Sequence, residues 1–131
     1  MREAVVLPIK PVYAEKILNG TKKYEYRKTI FNDKVTRVYI YESAPVSKIV
    51  GAFSVKSIVT NSIAELWNET KEYSGISKEF YSNYFKGKKY GFAIEVDKVI
   101  KFDEPYSLSD LGLHYAPQSF VYVNSKEYSL V

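Results

Sequence analysis

The 131-residue sequence has no cysteine and a single histidine, His114. The first absence excludes disulfides and thiolate metal sites, and the second excludes a multi-histidine centre, although carboxylates can still hold Mg²⁺. No apolar run approaches the roughly 20 residues that a membrane-spanning helix needs. The opening stretch, MREAVVLPIK, lacks the long apolar segment of a secretory leader. The expectation is an intracellular, cytoplasmic protein with no membrane association, no bound metal and no cofactor. No repeat, linker or low-complexity tract breaks the chain, so residues 1–131 read as one domain long enough for a real core.

What is present is ordinary in most respects. Apolar residues make up 46% and charged residues 26%, the balance of a globular chain rather than a disordered one. A formal net charge of +4 is compatible with nucleic-acid binding without establishing it. Tyrosine stands out, thirteen against seven phenylalanines. It supplies both core packing and an amphipathic surface on which bases can stack.

The chain is organised around GTKKYEYRK, Gly20 to Lys28. Pro11 suits the first turn of a helix. The pairs Tyr13/Ile17 and Ala14/Leu18 give that helix one apolar face. Gly20 ends it, because glycine takes a positive φ without a Cβ clash. An alternating strand follows, with Glu25 and Arg27 two apart on one face. Lys22 has the opposite parity, so it joins them only if it lies in the turn before the strand. Physical chemistry alone therefore places a charged site at a helix–strand junction.

Elsewhere, Ala4 to Ile9 reads as a strand buried on both sides. Asn32 and Asp33 mark a hairpin-like connection. Val35 to Glu42 alternates, with Val38 and Ile40 on one face and Tyr39 and Tyr41 on the other. Ser47 to Thr60 is a long strand in which Gly51 signals a bulge or a close backbone approach. Ser62 and Glu65 open a helix bearing Ile63, Leu66 and Trp67, and Ser77 caps another with Phe80, Tyr81, Tyr84 and Phe85 at helical spacing. Tyr90 to Val99 alternates again, Ser107 to Gly112 forms a helical turn, and Ala116 to Val123 runs into a last strand. Long strands with few helices predict an α+β fold, a curled sheet or open barrel.

G-x-K-x-x-E-x-R directly after the first helix resembles the signature of the ASCH family, a branch of the PUA-like β-barrels. LPIKPVYAEKILNG, IYESAPVSKIVGAF, ELWNETKEYSGISKEF and APQSF resemble the same subfamily, so the likeness covers nearly the whole chain. It implies a small β-barrel of about six strands, helices packed at its openings, and a cleft beside the motif. Members are taken to bind RNA or single nucleotides, and some have been proposed as transcription coactivators. Carried over, Lys22, Glu25 and Arg27 line the cleft and Gly20 shapes its entrance. One branch hydrolyses the acetyl amide of modified cytidine with a threonine, the same lysine and a helical-region glutamate. Here Glu25 stands where that threonine would be, which removes the hydroxyl nucleophile. Glu69, Glu72 and Glu79 are the nearest helical-region acids, and none aligns uniquely.

The trio Lys22, Glu25 and Arg27 has two readings, a salt-screened surface ion-pair cluster or a ligand cleft. Tyr41 leads into the Ser43–Pro45 turn, a candidate cleft wall. Gln118 and Ser119 either cap the last strand or contact a ligand. An RNA- or nucleotide-binding module is the first functional reading. A hydrolase acting on RNA or acetylated cytidine, with Lys22 and Glu25 as its catalytic pair, is the alternative.

Overall fold

Period-two alternation along the strands becomes two covered faces of one sheet. A computed structural model describes residues 4–124. In chain order they form β1 (Ala4–Ile9), α1 (Pro11–Leu18), β2 (Tyr24–Arg27), β3 (Arg37–Glu42), β4 (Lys48–Ser62), α2 (Ile63–Thr70), α3 (Lys78–Tyr84), β5 (Tyr90–Tyr106) and β6 (Val121–Val123). Short 3₁₀ turns occupy Lys71–Tyr73 and Leu108–Leu111.

The strands join as one six-stranded sheet in the order β2-β5-β4-β3-β1-β6. The β1–β3 pair is parallel and the other pairs are antiparallel. This is the expected α+β architecture, a mixed sheet with helices packed on it. Register shifts along the β4–β5 ladder mark bulges, which increase twist and curl the sheet. Gly51 lies at one of them, and any Cβ there would stand 2.5 Å from the Ile100 carbonyl. The curl stops short of closure. Among the described residues β6 pairs only with Ala4 to Val6, so the rest of that edge of β1 has no strand partner, and no ladder joins β6 to β2.

Inside the curl, Val5, Leu7 and Ile9 of β1 pack with Val38, Ile40, Phe53 and Ile94, and α1 adds Ala14 and Ile17. The opposite parity, Ala4, Val6, Tyr39, Tyr41 and Ala52, forms a second buried cluster covered by Phe102, Tyr106, Leu108 and Leu111. A third cluster seats α2 and α3 through Leu66, Tyr81 and Phe85 against Tyr26 and Ala93. Ser62 and Ser77 cap these helices, their hydroxyls accepting from Glu65 N at 3.3 Å and Phe80 N at 3.0 Å.

The hairpin-like reading of the Asn32–Asp33 connection is corrected. The turn exists, with Val35 N donating to Asn32 O at 3.2 Å. The strands on either side of it do not pair, because β2 lies against β5 while β3 lies between β1 and β4. Among the described residues no helix is long and apolar enough to cross a membrane.

Candidate functional site

Lys22 lies outside the strand, in the turn before β2, so the alternation that would have turned it away does not apply. Its side chain is almost wholly buried at 1% exposure. The ammonium donates to the Ser74 carbonyl and lies over the ring faces of Tyr26 and Tyr13, 5.0 and 5.8 Å from their centroids. Glu25 Oε1 is 3.9 Å away, and Glu25 Oε2 is 3.8 Å from Arg27 Nε. Glu25 thus stands between the two cations.

These groups border a cleft of about 300 Å³. β1 and the residue after it contribute Pro8, Ile9 and Lys10, and α1 contributes Tyr13. Ser43 closes one side, held through its backbone N–H on the Ile9 carbonyl at 3.1 Å, and Gln118 closes another. Ile76, Phe80 and Tyr84 form the wall opposite the sheet. Two lysines sit on that wall's rings: Lys10 Nζ is 5.6 Å from the Phe80 centroid, and Lys28 Nζ is 4.7 Å from that of Tyr84.

Burial sets the electrostatics. It pulls the Lys22 ammonium down to about 8; Glu25 opposes the fall and Lys16 adds to it. Burial likewise pushes the Tyr26 hydroxyl up to about 12, against hydrogen bonds with Thr70 and Ser74 that favour its ionised form. Tyr84 is raised by burial too, with Arg27 opposing. An aromatic cleft holding one loosely protonated amine, one guanidinium and one carboxylate can bind a planar, anionic or polar guest and can move a proton near neutral pH.

Of the residues singled out from the sequence, Lys22, Glu25, Arg27, Ser43 and Gln118 come together around this cleft. Ser119 meets it through its backbone, the carbonyl accepting from Arg27 Nη2 at 3.3 Å. Gly20 lies instead at a second cavity of about 400 Å³ on another side of Lys22, with Lys23, Lys56, Tyr73 and Glu95. Tyr41 is at neither. Strand alternation sends it to the face opposite Ile40, into the second buried cluster. Among the described residues, none of Glu69, Glu72 and Glu79 lines the cleft, and Glu69 accepts from Asn61 Nδ2 at 2.6 Å. No three His, Cys, Asp or Glu side chains among the described residues gather where they could hold a metal ion.

Phe80 and Tyr84 are among the cleft residues that sequence reasoning missed, with Lys10, Tyr13 and Ile76. The aromatic run of α3 carries two stripes, not one: Tyr81 and Phe85 enter the third cluster, while Phe80 and Tyr84 stay half-exposed at the cleft. A four-residue offset repeated on adjacent faces was the available signal.

Known proteins resemble this chain in sequence and fold to differing extents. The chain is 30% identical over 122 residues to the large ribosomal subunit protein uL22 of Ureaplasma parvum, covering 92% of this chain and 39% of that protein. It therefore spans well under half the length of that relative. An ASCH domain-containing ribonuclease of Zymomonas mobilis is 25% identical over 130 residues, covering 96% of this chain and 88% of that protein. The crystal structure of ASCH from Zymomonas mobilis superposes with a TM-score of 0.87 at 25% identity, covering 97% of this chain and 92% of the other. The ASCH domain pattern itself matches residues 7–105, and with three-quarters of its length inside that match the chain belongs to the ASCH domain family.

Proposed function

We propose that the cleft binds RNA or a single nucleotide, with Lys22, Glu25 and Arg27 as its polar contacts. The observation that carries this reading is a carboxylate set between two cations at the floor of an aromatic pocket. Bases splayed from a single strand are bound by stacking on aromatic planes and by hydrogen bonds to their edges. Tyr84 and Phe80 offer the planes, Glu25 accepts from a base amino or imino group, and Lys10 and Lys28 at the rim suit phosphates. Ser43 and Gln118 add neutral donors and acceptors.

Arg27 has a narrower role here than a free guanidinium. Its Nη2 is engaged by the carbonyls of Pro8 and Ser119, so it does not present an open fork to phosphate. Its Nε, buried and without a hydrogen-bond partner among the described residues, is the donor a ligand oxygen would satisfy. RNA metabolism or transcription in the cytoplasm is the setting this reading implies.

A second reading, RNA or acetylated-cytidine hydrolysis, is favoured by the proton affinity of Lys22 and by the description of the Zymomonas mobilis relative as a ribonuclease. An amine that titrates near about 8 beside a carboxylate suits general acid–base work.

Binding of labelled single-stranded RNA across a salt series, with Glu25→Ala and Arg27→Ala alongside, tests the first reading. Affinity that falls with salt and falls again in both variants supports it; unchanged affinity in the variants removes the site. Incubation with RNA and with acetylated cytidine, with and without Mg²⁺ or Mn²⁺, tests the second. No product at high protein concentration retires it.

A further inference from the structure

Three successive backbone carbonyls after α2 are each taken by a lysine of the α1–β2 segment. Tyr73 O accepts from the backbone N–H of Lys23 at 2.9 Å, Ser74 O from the Lys22 ammonium, and Gly75 O from the Lys16 ammonium at 3.1 Å. The motif and the α2–α3 connection are therefore laced together, and Ile76 and Phe80 of the cleft wall follow directly on the same stretch.

Gly75 is the point of closest approach. Its φ is +68°, and a Cβ placed there would lie 2.6 Å from both Cβ and Cγ of Lys22 and 2.8 Å from Cδ. Such a contact is relieved cheaply only when it falls on the far end of a flexible side chain. Here it falls on the root of one. Lys22 cannot retreat as a whole, because its own N–H is bonded to Lys16 O at 3.0 Å and its neighbour Lys23 to Tyr73 O.

We infer that Gly75 is a positioning residue for the cleft: by presenting bare backbone to the stem of Lys22, it sets where the ammonium stands beside Glu25. The inference rests on the binding reading only in calling the cleft a ligand site. Any side chain at position 75 displaces the ammonium from Ser74 O toward solvent and shifts the wall that carries Ile76. The low proton affinity of Lys22 follows from the buried position that Gly75 permits.

Gly87 supplies the control. It has a similar φ of +83°, yet a Cβ there meets nothing within 4 Å. Gly75→Ala and Gly87→Ala therefore share the cost of a positive φ and differ in the contact with Lys22. The ligand-free measurement is the titration of the Lys22 side chain by NMR of its Cε and Nζ, assigned with Lys22→Met. Gly87→Ala is expected to titrate near the wild-type value of about 8, and Gly75→Ala to move up toward the ordinary 10.5. With a mixed-sequence single-stranded RNA as probe, Gly75→Ala is expected to lose about tenfold or more in affinity, and Gly87→Ala to bind as wild type.

A Gly75→Ala protein that titrates and binds like Gly87→Ala overturns the inference. If Gly75→Ala does not fold, the double variant Lys22→Gly/Gly75→Ala, which removes the Lys22 Cβ as well as the rest of the stem, decides. Recovery of a melting temperature close to that of Lys22→Gly supports a collision with Lys22, and continued failure to fold overturns it. A displaced titration in a protein whose wild type binds no RNA leaves Gly75 in its positioning role and ends the binding reading instead.

Discussion

Arg27 and Pro8 are joined where, among the described residues, no ladder closes the sheet: Nη2 of the arginine donates to the proline carbonyl at 2.9 Å, from edge strand β2 to the end of β1 beyond its pairing with β6. The same nitrogen reaches Ser119 O at 3.3 Å, just before β6. A side chain thus spans the seam where elsewhere a backbone ladder would run. Arg27→Ala is expected to lower stability by about 1–3 kcal/mol, because it leaves two carbonyls to find water and one carboxylate without its neighbour. Arg27→Lys recovers only part of this, since an ammonium lacks the planar fork. Urea unfolding measures both, and an Arg27→Ala midpoint equal to wild type would show that the seam does not depend on it.

Lys22 gives the site a pH dependence of known sign. Its folded-state proton affinity, about 8, is below the ordinary 10.5 of the unfolded chain. Below about 8 the residue is protonated in both states; above it the unfolded state holds the extra proton, so this group's contribution to stability rises with pH toward 10.5. Tyr26 and Tyr81, each pushed up to about 12, add the opposite slope above their ordinary value of 10.0, so the clean window lies between about 8 and 10. Lys22→Met is expected to flatten stability across that window. RNA affinity is expected to fall over the same range in the wild type, and Lys22→Met to bind weakly without the step.

A second titration lies at the end of β3. Burial raises Glu42 to about 7 from 4.5, reinforced by a hydrogen bond and charge repulsion from Glu15 on α1, with Lys101 opposing. A raised carboxyl contributes stability that is fully present below about 4.5 and is lost as pH climbs through about 7. Glu42→Gln is expected to remove this slope, and so to gain on the wild type by roughly 1–2 kcal/mol between acid and neutral pH, with solvent screening holding the gain below the full shift. Chemical denaturation at a series of pH values reads the difference; parallel curves for the two proteins would contradict it.

The floor of the cleft is fixed by a buried hydroxyl pair. Tyr26 OH lies 2.6 Å from Thr70 Oγ1, which also donates to Leu66 O at 2.7 Å. Thr70→Val is expected to cost about 1–3 kcal/mol by taking the close Thr70 hydroxyl away from the buried tyrosine hydroxyl. Adding Tyr26→Phe should return much of that loss. A double-mutant cycle with no coupling energy would count against the pair.

Local chemistry in the sequence carried more of the fold than long-range pairing did. Val38 and Ile40 against Tyr39 and Tyr41 were separable by parity alone, and Ser62 and Ser77 announced their helices. Which strand lies beside β2 was not legible, since its partner β5 is distant in sequence and the Asn32 turn suggested the nearer β3. Tyr41 was placed beside the cleft because nothing local announced that Leu108 and Leu111 would cover a second face. Within the site, the charged trio was visible as spacing. The carbonyls of Tyr73 to Gly75 were not, because backbone acceptors carry no side-chain signature and the lysines that find them lie far back in the chain.

The most direct test of the account is a crystal structure of the protein soaked with a mixture of the four ribonucleotides. Density for a base between Tyr84 and Phe80, with a polar edge on Glu25, is the expected result. A nucleotide seated instead in the second cavity, against Lys23, Lys56 and Tyr73, would contradict it.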